Sequence, residues 1–392
     1  MENFGNFISG WKERYLNWSR HRANRRFLQS GPIAATVPAF TTPAFQTGRL
    51  SGTRPSRLGK ALSSRGFWAF AIVTGALIIG GAQVYKRPTW ILDRVERIHL
   101  KLAGVESYSV TVHGHRLHYY VSGQPGGEPV VLLHGLGGRS EDWIRMLPYL
   151  QRAGYRVYTP DLLGFGQSDE PLSASYSIRE QSRLVVGFMD QVGLERVDLG
   201  GWSMGGWIAQ KVAVDNPDRV RRLVLMDSAG LNVPPTWDTN IFTPRTPAEL
   251  NELHSLLTPD AKPMPKFVVD DMLRLSKNYG WVVKKALASM MTAKDVMDDD
   301  LPSLKMPVLI LWGDQDRITP LSEGLTMHSL IPGSWFHVAS GCGHVAPASC
   351  VDQLGPALTS FLKNAPSTTS TKTILRANYE VDKKQPAERS GE

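Results

Sequence analysis

At 392 residues and 42% hydrophobic composition, the chain can bury one large core with appendages, which excludes a disordered or fibrous protein. The formal charge of +8 is unevenly placed: residues 1–66 hold eleven Lys or Arg against Glu2 and Glu13, and the remainder is close to neutral. The body therefore lacks the basic excess needed to grip phosphates, and no nucleic-acid partner is expected.

The basic leader of residues 1–66 is rich in Pro, Thr, Ser and Gly from Gly31 to Leu58, a composition expected to stay without fixed structure. Phe67 to Val84 then reads FWAFAIVTGALIIGGAQV, eighteen residues without a charge. As a helix this would span ~27 Å, enough to cross a hydrocarbon core, and residues 67–84 are expected to be a single transmembrane helix that makes the membrane a partner. An Arg-rich organelle transit sequence is the alternative for the leader. The bases preceding the helix outnumber Lys86, Arg87, Arg94 and Arg97 beyond it, which places the catalytic domain on the non-cytoplasmic side.

After a linker at 85–104, short apolar runs alternate with helical stretches, the pattern of an α/β sheet. Tyr108 to Val112 and Leu117 to Val121 flank Gly114 as a hairpin. Buried strands are expected at Val130–Leu133, Val157–Thr159, Val197–Leu199, Leu223–Met226, Val308–Leu311 and Trp335–Val338. Helices are expected at Asp142–Arg152, Ile178–Val192, Met204–Val214 and Val351–Leu362, so strands joined by crossovers should form a mostly parallel sheet. The core thus runs over residues 105–230 and 301–364. Between them, residues 231–300 hold clustered prolines and helical stretches without strands, expected to be an inserted helical cap. Residues 365–392 are expected to be a disordered tail. Cys342 and Cys350 are the only cysteines, expected as packed thiols, with a disulfide the alternative if the domain is exported.

Gly201-Trp202-Ser203-Met204-Gly205 joins a strand to a helix. Small residues two positions either side of the serine permit the abrupt turn that leaves Ser203 in strained backbone, its hydroxyl above the sheet. Such a hydroxyl needs a base, and acyl transfer needs oxyanion donors. His134-Gly135-Leu136-Gly137-Gly138 follows another strand, and the Leu136 amide, with the Met204 amide at a helix start, would form the oxyanion hole. His134 beside this loop reads as a structural hydrogen-bonding residue. His344 follows the last expected strand on a Gly-rich loop and is the base, whereas His113, His115, His118, His254, His328 and His337 fall within strands, the hairpin or helices. For the orienting acid, Asp316 in Trp312-Gly313-Asp314-Gln315-Asp316 is favoured over Asp314, with Asp227 at another strand end a third candidate.

The order Ser203, Asp316, His344, with elbow and oxyanion loop, resembles the α/β-hydrolase superfamily over residues 105–364. The fold this implies is an α/β-hydrolase fold, a mostly parallel sheet flanked by helices. Asp161 to Ser168 is similar to a loop whose residues are structural in that family. Membrane helix, core and cap together resemble monoacylglycerol lipases and related bacterial lipases and esterases. The resemblance implies a serine hydrolase cleaving carboxylic esters of apolar acyl groups, with no metal or organic cofactor. Cap residues including Trp237, Phe242, Met290 and Met291 would line the acyl pocket. A carbon–carbon bond hydrolase of the meta-cleavage type shares the serine and is the alternative, followed by an inactive membrane-tethered binding module. No catalytic element lies before Val105, so removal of residues 1–97 is expected to leave turnover intact.

Overall fold

The computed structural model describes residues 85–364 continuously, with residues 74, 80, 81 and 83 before them and the backbone of residues 371–375 after. Two units are distinguished, one comprising residues 89–264 and 268–392 and the other residues 1–88 with 265–267. In the smaller one Tyr85 stacks on Phe267 at 5.6 Å between ring centroids.

Helix α1 (Pro88–Leu102) carries a charged residue on nearly every turn, from Asp93 to Lys101. Among the described residues no helix is long and apolar enough to cross a membrane, which overturns the single-pass localisation and the non-cytoplasmic placement that depended on it. Phe67 to Val84 itself lies outside the described residues, except for Thr74, Gly80, Gly81 and Gln83.

The larger unit is built on a nine-stranded sheet in the order β1-β2-β4-β3-β5-β6-β7-β8-β9. β1 (Glu106–Val112) and β2 (His115–Ser122) form the expected antiparallel hairpin, and β2 pairs antiparallel with β4 (Tyr155–Pro160). All later pairings are parallel: β3 (Glu128–Leu133), β5 (Val197–Trp202), β6 (Val220–Met226), β7 (Val308–Gly313) and β8 (Trp335–Ala339). The ninth strand is a correction, because β9 (Thr371–Leu375) pairs parallel with β8 inside what was expected to be a disordered tail.

The central strands are apolar on both faces, as a covered parallel sheet requires. Val131, Leu133, Leu225 and Ile310 enter one core, while their neighbours Val130, Leu132, Val224 and Leu309 enter the other, following the two-residue period of a strand. Helices supply both covers. α2 (Leu147–Arg152) is shorter than expected, because Ser140 to Trp143 forms a separate 3₁₀ turn before it. α3 (Ile178–Gln191) starts at Ser177, whose hydroxyl accepts from the Glu180 amide, and buries Leu184, Val185 and Phe188. α4 (Met204–Asp215) follows β5 directly.

Between β6 and β7 the chain forms a 3₁₀ turn (Thr239–Phe242), α5 (Pro247–Leu257), the 25-residue α6 (Lys266–Met290) and a second 3₁₀ turn (Leu301–Ser303), without a strand. After β7 come α7 (Leu321–Leu330), β8, the short α8 (Ala346–Ser349) and α9 (Val351–Lys363). Cys342 and Cys350 are joined as a disulfide, not left as packed thiols, because the turn into α9 brings their Cα atoms to 6.2 Å.

Candidate active site

At the end of β5 the backbone of Ser203 takes φ 55° and ψ −121°, a conformation costly for any residue but glycine. Two glycines permit it. A Cβ on Gly201 would lie 2.1 Å from the Gly205 carbonyl oxygen, and one on Gly205 would lie 2.3 Å from that of Leu133. The turn therefore needs bare backbone on both sides of the serine.

His344 comes from the loop after β8, and its Nε2 lies 2.9 Å from Ser203 Oγ. On its other side Nδ1 lies 2.7 Å from Asp316 Oδ2. These partners set the tautomer: Nδ1–H donates to the carboxylate, leaving the Nε2 lone pair for the serine hydroxyl. Asp316 is buried, its Oδ1 accepting from the Ile318 and Thr319 amides at 2.8 and 3.0 Å.

The structure separates the three acids. Asp314 turns to the histidine loop instead of the ring, its Oδ1 accepting from the Gly341 and Cys342 amides at 2.7 and 3.3 Å. Asp227 is fully buried, with Oδ1 accepting from the Gly313 amide at 2.7 Å and Oδ2 without a partner. Burial first, then the Asp316 charge, raises the Asp227 carboxyl well above the usual range.

The Met204 amide opens α4 and has no acceptor within the helix. Leu136 lies on the loop after β3, whose Gly138 amide closes a turn onto Gly135. That loop is held from behind. His134 Nδ1 donates to the Gly135 carbonyl at 2.8 Å and Nε2 accepts from the Leu162 amide at 3.0 Å, while Asp161 accepts from the Ser140 amide at 2.7 Å. His134 thus has both nitrogens committed to backbone. Asp161 also bonds His118 at 2.8 Å, whose other nitrogen meets Ser107 at 2.9 Å. This second hydroxyl–imidazole–carboxylate chain lies outside the cavity lining at Ser203.

A cavity of about 310 Å³ opens on Ser203. Leu136, Trp207, Trp237, Phe242 and Met290 contribute to its wall, and Glu323 is the one ionisable side chain among its described lining residues.

Several supporting residues were not anticipated. Trp202 donates from its indole to the His344 carbonyl at 2.6 Å, and Thr319 Oγ1 donates to Asp316 Oδ2 at 2.8 Å while lying 3.2 Å from His344 Nδ1. The signal for Trp202 was present in principle, since a Trp inside a serine elbow must find an acceptor for its N–H. Thr319 carried none beyond its closeness to Asp316.

Residues 128–246 match the family model described as alpha/beta hydrolase fold. The chain is 30% identical over 267 residues to the 2-hydroxymuconate semialdehyde hydrolase of Pseudomonas putida, a match spanning 64% of this chain and 92% of that enzyme. The chain belongs to the α/β-hydrolase superfamily. It is also 32% identical to a 2-hydroxy-6-oxononadienedioate/2-hydroxy-6-oxononatrienedioate hydrolase of Paraburkholderia phymatum, covering 63% of this chain and 91% of the relative. Among solved structures, a bacterial membrane phospholipase A superposes with a TM-score of 0.66 at 26% identity, covering 77% of this chain and all of that one. The meta-cleavage product hydrolase of Pseudomonas fluorescens IP01 superposes with a TM-score of 0.58 at 26% identity, over 65% of this chain and 97% of that one.

Proposed function

We propose that this chain is a serine hydrolase that cleaves carboxylic esters of apolar acyl groups through an acyl-enzyme. The observation that carries this reading is the apolar cavity on Ser203, which has no Lys or Arg among its described lining residues. His344 takes the Ser203 proton as the hydroxyl attacks the ester carbonyl, and Asp316 steadies the imidazolium. The Leu136 and Met204 amides receive the oxyanion. His344 then protonates the departing alcohol, and water activated by the same nitrogen releases the acid.

Carbon–carbon bond hydrolysis of the meta-cleavage type is the second reading, and the curated relatives favour it over ester cleavage. The substrates in their names are acids or dioates, whose carboxylates call for a cationic partner on burial. The lining described here offers none, and that difference supports the ester.

A chain-length series of nitrophenyl esters and monoacylglycerols, run beside a meta-cleavage diketone acid, tests the choice. Ester turnover with none of the diketone is expected, and the reverse pattern replaces the first reading with the second. Turnover of neither would leave a binding module. Ser203→Ala should abolish both turnover and fluorophosphonate labelling with the fold intact. Persistent labelling of that variant would sink the nucleophile assignment.

A further inference from the structure

Glu323 stands at the third position of α7, half-buried in the wall of the Ser203 cavity. A glutamate at this position commonly reaches back to bond the amide of the capping residue. Here the capping residue is Pro320, which has no N–H to offer. The helix dipole favours an acid in the first turn, but a side chain directed to solvent would satisfy that equally. Glu323 instead lines a cavity walled mainly by apolar groups, where Asn232 and Thr319 are the other polar side chains besides Ser203, and no hydrogen bond or ion pair to its side chain is found among the described residues. Burial, together with the Asp316 charge, pushes its carboxyl up to about 7. A half-buried carboxyl that the protein leaves without a partner in the cavity wall is free to bond an occupant of the cavity.

We propose that Glu323 is the polar recognition group of the cavity, accepting a hydrogen bond from a hydroxyl or amino group of the substrate and rejecting substrates that present a carboxylate there. This rests on the ester-hydrolase reading of the same cavity and narrows its substrates to esters with a hydrogen-bond donor beyond the apolar segment. The rejection follows from like charge: a second carboxylate beside Glu323 raises the cost of ionising either one.

The test measures protection of Ser203 from fluorophosphonate labelling of the full chain by four matched eight-carbon alcohols: octan-1-ol, octane-1,8-diol, 8-aminooctan-1-ol and 8-hydroxyoctanoate. In the unsubstituted protein the diol and the amino alcohol should protect at about tenfold lower concentration than octanol, and the hydroxy acid at about tenfold higher. Glu323→Leu should bring the diol-to-octanol ratio to within about twofold of one. Glu323→Gln keeps a hydroxyl acceptor, so it should retain the diol preference while losing the penalty on the hydroxy acid. Ratios within one variant are compared, so a variant that folds poorly in absolute yield still reports. Equal protection by all four alcohols in the unsubstituted protein, or unchanged ratios in both variants, overturns the assignment. Occupancy is read here instead of turnover. A protein that labels at Ser203 but hydrolyses no ester would lose the ester reading, while these ratios would still decide the role of Glu323.

Discussion

Arg139, the residue that follows the oxyanion loop, is paired with Asp93 of α1 at 2.8 Å. The same guanidinium reaches Glu96 at 3.2 Å, and one turn earlier the Thr89 amide donates to Asp271 of α6 at 3.1 Å. Helix α1 therefore ties the oxyanion loop to the helical segment between β6 and β7, although it contributes no reacting group.

These contacts argue against the expectation that removing residues 1–97 leaves turnover intact. Truncation to residue 98 removes Thr89, Asp93 and Glu96 while stranding Leu100, which is buried in one of the two cores. We expect this form to lose several degrees of thermal stability and about tenfold in kcat, on the order of 1.4 kcal/mol. Truncation to residue 85 should retain both. Melting curves and ester kinetics on the two forms check this, and equal behaviour would dismiss the α1 contacts as incidental.

The three acids at the site should separate by rate. Asp316→Asn leaves His344 without its Nδ1 acceptor and should lower kcat by a factor on the order of 10⁴. Asp227→Asn keeps an oxygen to accept from the Gly313 amide and should cost only a few-fold. Asp314→Asn should also be mild, acting through the Gly341 and Cys342 amides it holds. Steady-state kinetics of the three variants decide, and a large loss confined to Asp227 would move the orienting acid to the end of β6.

The Cys342–Cys350 disulfide brackets His344, closing a loop with a sequence separation of eight. Closing so short a loop stabilises by roughly 2–3 kcal/mol on the chain-entropy account. The double variant Cys342→Ser/Cys350→Ser should melt lower and lose kcat more than KM, since what loosens is the loop carrying the base. A thiol reductant should reproduce the effect in the parent and leave the double variant unmoved.

Glu323 also predicts a pH dependence of stability. Its folded pKa is raised from 4.5 to about 7, so below 4.5 the carboxyl is protonated in both states and costs nothing. Between 4.5 and 7 the unfolded chain ionises first, and stability is lost as pH rises through that window. Glu323→Gln has no such loss, so its melting temperature relative to the parent should climb from pH 4.5 to 7 and level off above. A flat difference across that range would show that Glu323 titrates normally.

What the sequence determined alone was carried by local chemistry. Two-residue alternation marked the strands, and the spacing of Gly201, Ser203 and Gly205 marked the elbow, because steric limits at a strand-to-helix turn act between neighbours. Ser203, Asp316 and His344 were legible because each follows a strand end, where a parallel sheet must gather its loops. The tail strand Thr371–Leu375 was not legible, since its place depends on the free edge of β8 and not on its own pattern. Spacing likewise ranked Asp316 above Asp314 without showing that Asp314 has work of its own. The disulfide, the Arg139–Asp93 pair, the indole of Trp202 on the His344 carbonyl and the unpaired carboxyl of Glu323 were decided only by tertiary structure. Each depends on where two chain segments cross, and such distances are set by the packing of the whole sheet and its helices, to which no local pattern of residues has access.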